Sequence, residues 1–142
     1  MKNPTGTVIY LIERAIKDYR KMSQKNITEV VKNITIDQGM LLMILDKGAG
    51  ENQNELADLV FKDNASVTRM IELMVKNGYI NRTANLEDRR KSNLLITKKG
   101  KTTLESLMPI SQINRKKALN GISSEEIEML DKILNKIISN CN

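Results

Sequence analysis

Cations carry most of the reactive potential of this sequence. It contains no histidine, which excludes a His-based triad, a histidine general base and the usual His-rich zinc and iron sites. Its single cysteine, Cys141, has no partner for an intrachain bridge and suits a reducing compartment. A redox-sensing thiol needs an electropositive neighbourhood, whereas the basic residues lie far from Cys141 in sequence; a terminal, helix-packed thiol is expected to be inert. Glu125 and Glu126 are adjacent carboxylates, but Ser123 stands three residues before Glu126, and that spacing is a helix capping box. No nucleophile–base pair or metal cluster emerges, so no enzyme activity, metal or cofactor is expected.

Charge is what remains. The 142-residue chain has 23 Lys and Arg against 17 Asp and Glu, and the excess is localised. Between Lys62 and Lys101 stand ten basic side chains (Lys62, Arg69, Lys76, Arg82, Arg89, Arg90, Lys91, Lys98, Lys99, Lys101) against four acidic ones (Asp63, Glu72, Glu87, Asp88). The rest of the chain is balanced, so this segment carries the whole net charge of +6. A basic segment with neutral flanks is the electrostatic footprint of a nucleic-acid surface; the alternative is a solvated face.

The elements that must position these cations are mostly helical. Two prolines and seven glycines, with abundant Lys, Glu, Leu, Ile and Met, favour helix. The length suits one domain with its own core. With no apolar leader and no run of about 18 apolar residues, the chain is expected to be soluble and cytoplasmic. Val8, Leu11, Ile12, Ala15, Ile16, Tyr19 and Met22 mark one face of a first helix over 7–32. Thr35 with Gln38 forms a capping box that opens a second helix, with Met40, Leu41, Ile44 and Leu45 as its buried face and Gly48-Ala49-Gly50 as its stop. Asn52 with Glu55 opens a short third helix through Leu56, Leu59 and Val60. After a turn at Lys62-Asp63, a fourth helix begins at Asn64 or Ala65. It places Val67, Met70, Ile71, Met74 and Val75 on one side and ends at Asn77-Gly78. The period then changes, and Tyr79–Thr83 and Asn93–Thr97 read as two strands of a hairpin with a charged tip. A helix resumes at Lys98 with Leu104, Leu107 and Met108 on one face, and Pro109 should kink or interrupt it. The Ser123 capping box opens a last helix carrying Ile127, Leu130, Ile133, Leu134, Ile137 and Ile138.

Helix, short helix, longer helix and a two-stranded ribbon is the order of a winged helix-turn-helix. The runs Ser66-Val67-Thr68-Arg69-Met70-Ile71, Lys76-Asn77-Gly78-Tyr79-Ile80-Asn81-Arg82 and Asp88-Arg89-Arg90 through Leu95-Ile96-Thr97-Lys98-Lys99-Gly100 resemble the MarR family of bacterial transcriptional regulators. The resemblance extends along the whole chain to Leu119-Asn120-Gly121-Ile122-Ser123. It implies a mainly α fold with a small β-hairpin: a single domain over 1–142, with a winged DNA-binding lobe over 35–100 and dimerisation helices over 7–32 and 101–142. It also implies a regulator of transcription, expected to be a homodimeric repressor of a pseudo-palindromic operator.

Physical chemistry assigns roles beside the resemblance. The N-terminal residues of a helix lying in the major groove reach base edges, which selects Ala65, Ser66, Thr68 and Arg69, with Arg69 suited to guanine. Ser66 and Thr68 have the alternative of serving only as cap or surface groups. At the hairpin tip, Arg89, Arg90 and Lys91 suit the negative potential of a narrow minor groove. By resemblance, Arg90 is the wing arginine and Asp88 its orienting carboxylate. Lys98, Lys99 and Lys101 are weaker phosphate candidates. Both terminal helices carry apolar stripes broader than one small lobe can cover, which predicts a dimer built from the two ends of the chain. The resemblance further implies release of the operator by a small lipophilic or phenolic effector in a cleft between lobe and dimerisation helices. Tyr10, Tyr19, Met40, Met43 and Met74 are its candidate lining, with simple core packing as their alternative. The competing reading of the whole chain is a winged-helix protein-interaction module whose basic segment is incidental.

Overall fold

The computed structural model describes residues 3–48, 52–84, 87 and 92–142. A short 3-10 turn at Pro4–Gly6 leads into α1 (Val8–Val30), α2 (Ile36–Asp46), α3 (Gln53–Leu59), α4 (Asn64–Lys76), β1 (Ile80–Ala84), β2 (Ser92–Ile96), α5 (Lys98–Ala118) and α6 (Ser124–Cys141). Both predicted capping boxes form: Thr35 with Gln38 opens α2 and Ser123 with Glu126 opens α6. Hydrogen bonds from the Ser123 backbone and side chain hold the Glu126 carboxyl below its ordinary range. In each box the side chains satisfy backbone groups that have no partner inside the helix.

One hydrophobic core centres on the winged lobe and takes in Ile27 of α1 and Leu104 and Leu107 of α5. Leu41, Leu42, Leu56, Val67, Ile71, Met74 and Ile80 are completely shielded from solvent, bringing α2, α3, α4 and β1 together. Leu42 was absent from the expected face of α2; it lies among the fully buried residues, while Met40, Ile44 and Leu45 are only half-buried. Because the lobe surrounds α2 on more than one side, a single-stripe reading understates its burial. Val75, expected to be buried, is instead exposed at the edge of α4.

The strands pair antiparallel, Ile80 opposite Ile96 and Ala84 opposite Ser92. Each lies one residue from its expected bounds, because Tyr79 and Thr97 are used at the joint below the ribbon. Thr97 caps α5 by accepting from the Gly100 N–H (3.0 Å). Its hydroxyl also lies 2.6 Å from the Gly78 carbonyl oxygen and 3.0 Å from that of Tyr79, and donates to them. Gly100 has no room for a side chain: a Cβ there would stand 2.2 Å from the Tyr79 carbonyl oxygen. Gly78 adopts φ +82°, the left-handed conformation that lets α4 end and the chain turn into β1.

Pro109 does not interrupt α5, which runs unbroken from Lys98 to Ala118. Proline removes one hydrogen bond, but Pro109 and Glu105 are both exposed, and water can satisfy the carbonyl left free. Cys141, expected to be packed, is exposed on the last turn of α6. The terminal helices differ sharply from the lobe. Val8, Ile9, Leu11 and Ile16 of α1 and Met129, Leu130, Ile133 and Ile138 of α6 are exposed, and α6 has no buried residue. No helix of the described residues is long and apolar enough to cross a membrane.

Candidate nucleic-acid interface

The helix-turn-helix formed by α3 and α4 is held by polar contacts at the start of α4. Asp63 is the N-cap, accepting from the Ser66 N–H (2.8 Å) and from the Ser66 hydroxyl (3.0 Å). Those two bonds, backbone first, hold the Asp63 carboxyl below its ordinary range. Ser66 Oγ in turn accepts from Arg69 Nη2 at 3.3 Å. The result is a surface relay of carboxylate, hydroxyl and guanidinium along the first turns of α4. On the other side, the Thr68 hydroxyl donates to the Asn64 carbonyl (2.8 Å) and accepts from Gln53 Nε2, which ties the first turn of α3 to α4. Gln53 and the capping role of Asp63 were missed in the sequence. The Asp63-x-x-Ser66 spacing was a signal for the cap; Gln53 gave none, because its partner is set by the approach of two helices.

The expected base-reading residues therefore share one end of one helix. Ala65 and Arg69 are exposed, and Ser66 and Thr68 are half-buried with their hydroxyls already engaged. Asp88, Arg89, Arg90 and Lys91 lie outside the described residues. Arg82 of the same basic segment is exposed on β1. Lys99 is committed to the fold: its ammonium donates to the Asn77 carbonyl at 2.6 Å, near the C-terminal end of α4, and stands 4.8 Å from the Tyr79 ring centre. Those contacts favour a structural use of that lysine.

A charged knot braces the turn before α4. Asp37 accepts from Arg20 of α1 at 2.8 Å and faces Lys62 at 3.2 Å. Burial pushes the Asp37 carboxyl up, but the hydrogen bonds and charges of Arg20 and Lys62 outweigh it and hold the group below its ordinary value of 3.8. One carboxylate thus links α1, α2 and the α3–α4 turn.

Behind this surface, a cavity of about 130 Å³ lies between α1, α2 and α5. Tyr19, Met40 and Met43 line it together with Ile27, Leu104 and Met108. Tyr10, near the start of α1, and Met74, in the lobe core, do not line it. Ser23 and Asn114, both buried, complete the wall and were not anticipated. Asn114 Oδ1 accepts from Asn26 Nδ2 at 2.7 Å, while Asn114 Nδ2 and Ser23 Oγ are buried without a hydrogen-bond partner among the described residues. The sequence concealed them because a lone Ser or Asn on a helix carries no periodic signal.

Comparison with known proteins gives this geometry a family. The MarR family model matches residues 34–92. The chain is 30% identical over 104 residues to the HTH-type transcriptional regulator BilQ of Clostridium symbiosum (strain WAL-14163), covering 72% of each chain. Among solved structures, it superposes on Bordetella bronchiseptica BpsR, whose DNA binding is regulated by 6-hydroxynicotinic acid, with a TM-score of 0.85 at 20% identity over 96% of both chains. It superposes on S. aureus MepR, solved in complex with DNA, with a TM-score of 0.85 at 20% identity, covering 99% of this chain and 100% of that one.

Proposed function

The chain belongs to the MarR family of transcriptional regulators, and we propose that it acts in the cytoplasm as a homodimeric repressor of a pseudo-palindromic operator. The observation that carries this reading is the start of α4: a capped, braced helix end in the basic segment, with Ala65 and Arg69 exposed and Ser66 beside them. That end would enter the major groove, where Arg69 exchanges its weak contact with Ser66 for the O6 and N7 of a guanine. Asp88, Arg89, Arg90 and Lys91 would act at the minor groove as the wing. The division into a lobe over 35–100 and dimerisation helices over 7–32 and 101–142 belongs to the same proposal, with α5 as the shared strut. The DNA-bound state of MepR supports the reading.

A second copy is the occupant proposed for the exposed stripes of α1 and α6. A two-fold pair would set its two recognition helices about 34 Å apart, one turn of DNA. The experiment is selection of duplexes from a random library by the purified protein, followed by binding to the enriched sequence. Arg69→Ala should lose about 1–3 kcal/mol at one guanine position and relax the preference there. Arg90→Ala should weaken binding evenly across sequences. Parent-like binding by both variants would overturn the assignments. An affinity for duplex DNA that does not fall with salt would favour the protein-interaction module instead.

The cavity supports an effector site. Its wall joins α1 and α5 to α2 of the lobe, so an occupant would bias the angle between them. A ligand acts only through its preference for the released conformation. The Asn114 side-chain N–H groups and the Ser23 hydroxyl, unpartnered among the described residues, suit a small lipophilic or phenolic molecule with a hydrogen-bond acceptor, and Tyr19, Met40 and Met43 give it adaptable apolar contact. The effect of 6-hydroxynicotinic acid on BpsR is consistent with such a site. Titrating phenolic and larger lipophilic compounds against the operator complex tests this. Compounds that stabilise the free dimer while leaving operator affinity unchanged would sink the switch.

A further inference from the structure

Phe61 is the most exposed large apolar side chain of the described residues, at 87%. It also has φ +59°, the left-handed region, shared among described non-glycine residues only with Asn33. Asparagine tolerates that region; an aromatic residue does so only against steric opposition. The backbone explains the conformation. The Phe61 N–H donates to the Asp58 carbonyl (3.2 Å) and the Lys62 N–H to the Ala57 carbonyl (2.9 Å), which is the double-bonded end of a helix whose left-handed position normally belongs to glycine. α4 ends in the same way, with Gly78 in that place, bonded to Val75 while Tyr79 bonds to Met74. Phe61 therefore occupies a glycine position and buries almost none of its ring. Neither feature helps the fold, so the reason for a ring here lies outside the chain.

Its place names the occupant. Phe61 lies in the turn of the helix-turn-helix, two residues before the Asp63 cap of α4. The turn is fixed, because the neighbouring Lys62 is held by Asp37. In such a motif the first helix crosses the phosphodiester backbone while the start of the second enters the major groove, so the joining turn meets DNA where backbone and groove edge adjoin. The apolar groups there are deoxyribose carbons and the thymine methyl. A second copy is the weaker occupant, because the stripes suited to it lie on α1 and α6. We propose that Phe61 is a DNA-contacting residue that lays its ring on apolar carbon of the operator beside the groove read by Arg69. The inference rests on the DNA-binding reading above.

Phe61→Gly tests it with the enriched operator, since glycine removes the ring and suits the turn. Thermal stability should equal or exceed the parent's, the dimer should persist by sedimentation, and operator affinity should fall about tenfold. The slope of log affinity against log salt should not change, because no cation is lost. Phe61→Leu should retain part of the affinity. Replacing operator thymines singly by deoxyuracil separates the two sources: a loss seen for the parent but not for Phe61→Gly identifies the methyl, and no loss leaves the sugar. Parent-like affinity of Phe61→Gly, with Arg69→Ala impaired, would overturn the inference while leaving the DNA reading intact. A lower melting temperature or a monomer would also overturn it, placing the ring in the fold or in self-association. If the parent itself binds no duplex, the underlying reading fails.

Discussion

The winged lobe and the terminal helices use similar apolar residues to opposite ends. In the lobe, Leu41, Leu42, Leu56, Ile71 and Ile80 reach zero exposure. On α6, Ile133 is 46% exposed and Ile138 58%. Hydrophobic stabilisation follows area removed from water, so the core centred on the lobe is stabilised by its own packing, whereas the exposed stripes of α1 and α6 leave most of theirs in contact with water. The contrast sets a self-packed core against the surface proposed above for self-association. α5 connects the two, with Gly100 pressed against the base of the ribbon and Asn114 lining the cavity against α1.

The sharpest test of this contrast truncates equal apolar residues in both regions. Ile71→Ala should cost about 2–5 kcal/mol through the cavity it leaves in the lobe, measured by urea unfolding. Ile133→Ala should change stability little once dimer dissociation is accounted for. A charge is the next perturbation in size: Ile133→Asp should leave the lobe folded by circular dichroism but weaken self-association by about 100-fold, near 3 kcal/mol, measured by sedimentation. A monomeric parent at micromolar concentration would refute the contrast.

The joint between the regions comes next. Gly100→Ala should destabilise by about 1–3 kcal/mol, because the added Cβ meets the Tyr79 backbone carbonyl rather than a yielding side-chain tip. Melting temperature is the readout, and an unchanged value would show that the joint slides freely.

The smallest effect concerns the charged knot. Asp37 has a lowered folded value, so its stabilisation is present above its ordinary value of 3.8 and is lost as pH falls through the folded one. Asp37→Asn should cost about 1 kcal/mol at neutral pH and little below that window, since both proteins then carry an uncharged group. Unfolding measured across acid pH gives the difference; a gap that persists at the acid end would assign Asp37 a role other than charge.

Much of this architecture was legible in the sequence because its signals are local. Thr35 with Gln38 and Ser123 with Glu126 specify helix starts within four residues, and Gly78 specifies an end through its own backbone freedom. The family runs through Ser66, Arg69 and Gly100 likewise located α4, proposed above as the recognition helix, and the ribbon. Ser23, Gln53 and Asn114 were not legible, since their importance arises from residues far away in sequence that the fold brings alongside.

The sequence by itself determined the helical order, the caps at Thr35, Asn52 and Ser123, the position of the basic segment and the absence of histidine chemistry. Each depends on residue type or on neighbours within one or two helical turns. Tertiary structure alone decided that Leu42 is wholly buried while Val75 is not, that α5 continues through Pro109, and that Asp37 joins Arg20 to Lys62. It also brought Tyr19, Met40 and Met43 to one cavity and left Met74 in the core. Burial and contact depend on which faces meet, and a helical period shows that a face exists without naming the surface that covers it.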